Sequence, residues 1–199
     1  MRVDARVTTD WLAAHLSDVR VVDLRWYLGG KDARAEYDRG HIPGAVFIDL
    51  DRDLSGDPTR GPGRHPLPAP AHFEAAMARA GIGADTDVVV YDAAAGSIAA
   101  RLWYLLRLFG HRAGVAVLDG GLPRWVAEGR PLETGVPAVA TSGFRADPAR
   151  IASWVVDRVA VDAARRDPNV LLLDARAPER YRGDAEPIDP RPEIGRAHV

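Results

Sequence analysis

Residues 88–110 read VVVYDAAAGSIAARLWYLLRLFG. Val88–Tyr91 is apolar without alternation, the pattern of a strand buried on both faces. Ala93–Gly96 is a run of small residues, and Ser97–Phe109 repeats apolar residues at helical spacing. A strand, a small-residue loop and a helix in this order make the junction where open α/β sheets place their sites. The residue at the strand's end is Asp92, and the chain contains no cysteine.

The same alternation extends in both directions. Arg20–Leu24, Val46–Ile48, Asp87–Tyr91 and Gly114–Leu118 are strand-like. Asp10–Leu16, Asp32–Asp38, Ala71–Ala80, Ser97–Phe109 and Leu122–Glu128 are helix-like. The pattern predicts an α/β fold, a parallel sheet with helices on both faces. Thr9 is expected to cap the first helix, Pro70 to lie in a helix's first turn, and Gly81 and Gly110 to end helices in the left-handed conformation. Arg52–Pro70, RDLSGDPTRGPGRHPLPAP, is a long Pro/Gly-rich loop of the kind that is often functional.

A linker over 136–150 divides a complete domain, 1–135, from an incomplete one, 151–193. The second stretch echoes the first. NVLLLDARAPERYRGDAEPIDP (169–190) matches VRVVDLRWYLGGKDARAEYDRG (19–40), with Asp174 and Arg176 in the places of Asp23 and Arg25 and Tyr181 in that of Tyr37. Helical patterns precede both, Asp10–Leu16 in one and Asp157–Arg166 in the other. The chain therefore reads as one α/β unit plus the opening of a duplicate.

Composition removes several function classes. A net charge of -2 and no basic run of five or more residues argue against nucleic acid or an anionic membrane as partner. The N-terminus carries acids and no apolar h-region, and no apolar run approaches the ~18 residues that span a bilayer, so a cytoplasmic protein is expected. Without cysteine there is no disulfide, no thiolate metal site and no thiol chemistry within this chain. Histidines 15, 41, 65, 72, 111 and 198 lack metal-ligand spacing, and no phosphate loop, dinucleotide fingerprint or Gly-x-Ser-x-Gly is present. No cofactor or metal is implied.

Three motifs stand in order: EYDRGHIPGAVFIDLD (36–51), VVVYD…G…AARLWYLLRLFGH (88–111) and LDGGLPRWVAEGRPLETG (118–135). Together they resemble the rhodanese sulfurtransferases, and the resemblance runs to about Pro192. It is closest to the tandem-domain type, the thiosulfate and 3-mercaptopyruvate sulfurtransferases. The resemblance implies a cysteine in the corresponding loop of the C-terminal domain only. That thiolate takes sulfane sulfur from a small-molecule donor and passes it to a thiophilic acceptor such as cyanide or a thiol, while the N-terminal domain packs on the C-terminal one. Asp92 then marks the degenerate copy, its carboxylate expected to accept hydrogen bonds from its own loop amides. Asp51 and His65 match positions that help line the substrate site. Arg180 matches the substrate-binding arginine, whose planar fork suits a carboxylate or thiosulfate. Arg176 is expected in a structural ion pair, and Arg191 is a weaker anion-ligand candidate. This fragment is expected to be inactive. The alternative is a cysteine-free rhodanese-like module that acts only in binding or regulation.

The family pattern calls for Gly-His-Ile-Pro-Gly-Ala after Pro192, where the chain reads EIGRAHV (193–199). The codons ATC GGA AGA GCA CAC GTC encode Ile-Gly-Arg-Ala-His-Val and match a widely used short-read sequencing adapter. Residues 194–199 are thus expected to be a non-native tail, which leaves Arg196 and His198 without a role.

Overall fold

The structure is a computed structural model that describes residues 4–59 and 63–186. Arg191 and the expected tail lie outside the described residues. The chain divides into two compact units, Met1–Ile151 and Ala152–Val199.

The first unit holds a five-stranded, all-parallel sheet. In chain order its strands are β1 (Arg6–Val7), β2 (Arg20–Asp23), β3 (Val46–Phe47), β4 (Val88–Tyr91) and β5 (Val115–Leu118). Their spatial order is β1-β5-β4-β2-β3. β2 pairs with β4 along its whole length, Arg20 opposite Val88 through Asp23 opposite Tyr91. The two-residue side-chain period sorts the core into two layers. Val88 and Val90 face one cluster, with Phe73 and Met77 of α4 (Pro70–Arg79) and Leu102 and Leu105 of α5 (Ala99–Leu108). Val89 and Tyr91 face the other, with Leu12 of α1 (Thr9–Ala14) and Trp125 of α6 (Gly121–Ala127). The remaining helices of this unit are α2 (Ala33–Arg39) and the single turn α3 (Leu50–Asp53). Asp92 directly follows β4, and α5 opens at Ala99, as the pattern of 88–110 requires.

One cap expectation shifts by a residue, while those for Pro70, Gly81 and Gly110 hold. Thr8, not Thr9, caps α1, accepting from the Trp11 N–H at 3.2 Å. The buried Thr9 hydroxyl instead donates to Glu128 at 2.5 Å. Pro70 opens α4, and Gly81 and Gly110 take φ of +67° and +89°. The stretch 136–150 lies along the first unit. Phe144 is 1% exposed, edge-on to Phe73 at 5.6 Å between centroids, and the Asp147 N–H donates to Phe109 O at 3.1 Å.

Glu128 also accepts from Arg130 and Arg124, at 2.7 and 2.9 Å. The Thr9 hydrogen bond, followed by those of the two guanidinium groups, holds its carboxyl down from an ordinary 4.5 to about 2. A depressed folded-state pKa adds stability that is complete above the unfolded value and fades as pH falls toward the folded one. Glu128→Gln should therefore melt below the parent at neutral pH, and the two curves should converge between about pH 4.5 and pH 2. A constant difference across that window in thermal melts would contradict the assignment.

The second unit contains α8 (Arg158–Ala164), capped by Asp157, and α9 (Pro178–Arg182). The short α7 (Pro148–Trp154) spans the division between the units. Val170–Leu173, which the repeat matches to the β2 stretch, take no strand conformation. The neighbours that would pair with them, the equivalents of β3 and β4, are not among the described residues, and a strand without partners leaves its backbone groups to water. Leu171 and Leu173 stand 70% and 83% exposed. Amide exchange there should be fast, because few buried contacts mean low local stability. Protection equal to that of Val88–Tyr91 would contradict this.

Candidate active-site loops

The loop from Asp92 to Ala99 is wrapped around the Asp92 carboxylate. One oxygen accepts from the N–H groups of Ala94 and Gly96, at 2.8 and 2.9 Å. The other accepts from those of Ile98 and Ala99, at 2.8 Å each. The side chain is fully buried. Ala95 and Gly96 are both left-handed, φ +54° and +91°, which turns successive amides inward. Two of the four donors open α5, so the carboxylate also stands at that helix's positive end. The paired glycines after β5 let α6 approach from the far side. A Cβ on Gly121 would lie 2.5 Å from Asp92 O, and Leu122 N–H donates to the same oxygen at 2.9 Å. The result is a ring of N–H groups built for an anion and filled by the protein's own carboxylate.

Beneath it, a buried polar network joins the motifs. Arg25 Nη2 meets Asp23 at 2.7 Å and also donates to Gly40 O at 2.9 Å. The Tyr91 hydroxyl donates to Asp23 at 2.7 Å and accepts from Ile42 N–H at 3.1 Å. Burial first, and then the Asp23 charge, push the Tyr91 phenol well above its usual range. His41 and Glu133 exchange backbone hydrogen bonds at 3.0 and 2.8 Å, and the Glu133 carboxylate accepts from Gly44 N–H at 2.6 Å. Gly-His-Ile-Pro-Gly thus serves as a clasp between β2, α2 and the end of the domain.

Asp51 and His65 come together: His65 Nε2 donates to Asp51 Oδ1 at 2.8 Å. The Trp26 indole donates to the other carboxylate oxygen at 2.9 Å, and its ring meets His65 edge-on at 5.4 Å. Asp51 remains 58% exposed while His65 is 22% exposed, so the pair is held yet open to solvent. Trp26 was missed in the sequence, although a tryptophan just past a strand's end was a visible signal. Arg101 was missed as well. It stands on the stripe that buries Leu105 and Leu108, so its guanidinium needs partners inside the fold. It faces the Leu54, His65 and Pro66 carbonyls at 2.8–3.0 Å. Burial lowers its pKa, and the Asp51 charge opposes that shift.

Arg180 belongs to the second unit, in α9, and forms a forked pair with Glu186 at 2.9 and 3.0 Å. Arg176 repeats the Arg25 geometry on Asp174. Its backbone N–H donates to Asp174 Oδ1 at 2.9 Å, against 3.0 Å in the first copy, and its Nη2 lies 2.7 Å from Oδ2 in both. No group of three or more metal-ligating side chains occurs among the described residues.

Fold and loop define a class: an open parallel α/β domain with an anion-receiving strand-to-helix loop at the sheet's carboxyl edge. The chain belongs to the rhodanese family, residues 8–128 matching the rhodanese-like domain. It is 44% identical over 188 residues to a probable 3-mercaptopyruvate sulfurtransferase of Pseudomonas aeruginosa, covering 92% of this chain and 66% of that protein. It is 42% identical over 174 residues to SseB of Mycobacterium tuberculosis, a putative thiosulfate sulfurtransferase, covering 86% and 60%. Among solved structures, SseA of Escherichia coli, a 3-mercaptopyruvate sulfotransferase, superposes with a TM-score of 0.79 at 34% identity, covering 94% of this chain and 71% of that one. The chain therefore spans 60 to 66% of the length of these two curated relatives.

Proposed function

We propose that this chain is the non-catalytic N-terminal domain and the opening of the catalytic domain of a tandem-rhodanese sulfurtransferase. The longer protein moves sulfane sulfur from thiosulfate or 3-mercaptopyruvate to a thiophilic acceptor. A cysteine thiolate attacks the donor's outer sulfur. The bond holding that sulfur breaks, and sulfite or the enolate of pyruvate leaves with the electron pair. The acceptor then takes the sulfur and frees the thiolate. The observation that carries this reading is the Asp92 carboxylate, which occupies the ring of N–H groups that a persulfide would need. A carboxylate cannot be the nucleophile for this transfer, so the sulfur-bearing loop belongs to the second copy. The repeated Asp-Arg pair at Asp174–Arg176 supports that duplication.

In this reading Arg180 binds the donor's anionic group. Asp51 and His65 serve in substrate orientation and proton handling. The chain alone should release no thiocyanate from thiosulfate and cyanide above the buffer rate. In the longer protein, Arg180→Ala should raise KM for anionic donors about 10- to 100-fold, since a charge-assisted contact contributes ~1.5–3 kcal/mol. An unchanged KM would return Arg180 to a structural pairing with Glu186. Long-read sequencing of the locus tests the whole reading. A continuation after Pro192 that carries a Cys-bearing loop supports it, and a locus that encodes Glu-Ile-Gly-Arg-Ala-His-Val followed by a stop codon assigns the chain to a binding or regulatory module.

A further inference from the structure

Arg101 projects from the first turn of α5, and Nε and Nη2 donate to Leu54 O at 3.1 and 2.8 Å. Nη2 also faces His65 O and Pro66 O, each at 3.0 Å. None of these partners is charged. Among the described residues no carboxylate hydrogen-bonds to this guanidinium, and the three carbonyls come from the two ends of one loop. Leu54 follows α3, which carries Asp51, while His65 and Pro66 close the loop. The two ends are held close: Gly56 N–H donates to Pro66 O at 3.0 Å, and a Cβ on Gly56 would lie 2.7 Å from Leu67 O. A guanidinium serving helix packing alone could be satisfied by a carboxylate or by solvent. This one spends its fork on the backbone beside the Asp51–His65 pair.

We propose that Arg101 is a positioning residue, which sets the Trp26–Asp51–His65 cluster by fixing both ends of the loop that brings His65 onto Asp51. The proposal rests on the reading of that cluster as part of the donor site. It also gives the filled Asp92 ring a present use. Asp92 holds the N–H groups of Ile98 and Ala99 at the start of α5, and Arg101 reaches out two residues later. The ring, the helix and the cluster therefore stand in mechanical series.

The test uses NMR on the whole 199-residue chain. Two signals report the cluster: solvent exchange of the Trp26 indole N–H, which donates to Asp51, and the cross-peak between the Trp26 and His65 rings. In Arg101→Ala the indole exchange should rise about tenfold, the equivalent of one lost hydrogen bond. The cross-peak should vanish, while Val88–Tyr91 amides stay protected. Arg101→Lys, with charge but no fork, should fall between, and added methylguanidinium should restore the alanine variant. Unchanged exchange and an intact cross-peak in a folded Arg101→Ala overturn the proposal. If the alanine variant does not fold, Arg101→Lys carries the test by the same signals. Loss of Val88–Tyr91 protection in both variants makes Arg101 a core residue and overturns it too. No turnover is measured, so this test and the sulfur-transfer test fail independently.

Discussion

Asp92→Ala is expected to lower the unfolding free energy of the first unit by roughly 3–6 kcal/mol. Four N–H groups lose their acceptor at once, and each buried donor left without a partner costs roughly 1–3 kcal/mol. The sum is discounted because water can enter the vacated polar space and take over part of the bonding. Against a native stability of about 5–15 kcal/mol, the loss would leave a strongly weakened domain. Asp92→Asn should fare little better. Its amide NH2 would have to face either Ala94 and Gly96 or Ile98 and Ala99, donor against donor. Urea unfolding followed by tryptophan fluorescence gives the difference directly. A midpoint within error of the parent would mean that the loop holds its shape without the carboxylate, and the ring would lose its meaning as an anion site.

The second large effect comes from Asp23, and its interest lies in the contrast with Asp174. Asp23→Ala removes the counter-charge from Arg25, whose side chain is 4% exposed, and also deprives the Tyr91 hydroxyl of its acceptor. Breaking a buried ion pair from one side leaves an uncompensated charge and costs about 3–5 kcal/mol. Asp174→Ala breaks the same pattern of bonds where the two side chains are 26% and 21% exposed, so water replaces the lost partner. Denaturant melts of the two variants should therefore differ sharply, with Asp23→Ala strongly shifted and Asp174→Ala close to the parent. Equal shifts would show that burial does not set the cost of this motif.

Where the chain alone specifies its conformation, the sequence was readable. Val88–Tyr91 and Val115–Leu118 are apolar enough to need cover on both faces, and Pro70, Gly81 and Gly110 act through their own backbone preferences. Asp92 belongs with them, since all four of its partners lie within seven residues. What stayed hidden depends on distant groups. β1 is two residues long and exists because Val117 and Leu118 pair with it. Thr8 and Thr9 are equivalent cap candidates in sequence, and Glu128, more than a hundred residues away, settles which one is left free. Val170–Leu173 has the composition of a strand and lacks the neighbours that make one. Resemblance alone marked Asp51 and His65 as site candidates, and their hydrogen bond to each other was not foreseen. The tryptophan and arginine that fix it act through contacts 25 to 47 residues away, beyond the reach of any local pattern.

The Asp-Arg clasp recurs at Asp174 where the described residues of the second unit form no strand, and in both copies its bonds join residues two positions apart. Translation runs from the N-terminus, so when Asp23 and Arg25 leave the ribosome their future neighbour Tyr91 has not been synthesised. The clasp is already available to the nascent chain, and it fixes the turn after β2 while that strand waits 65 residues for β4. β2, the interior strand between β3 and β4, thus enters assembly with its exit bend formed, and pairing has less chain to order when β4 arrives.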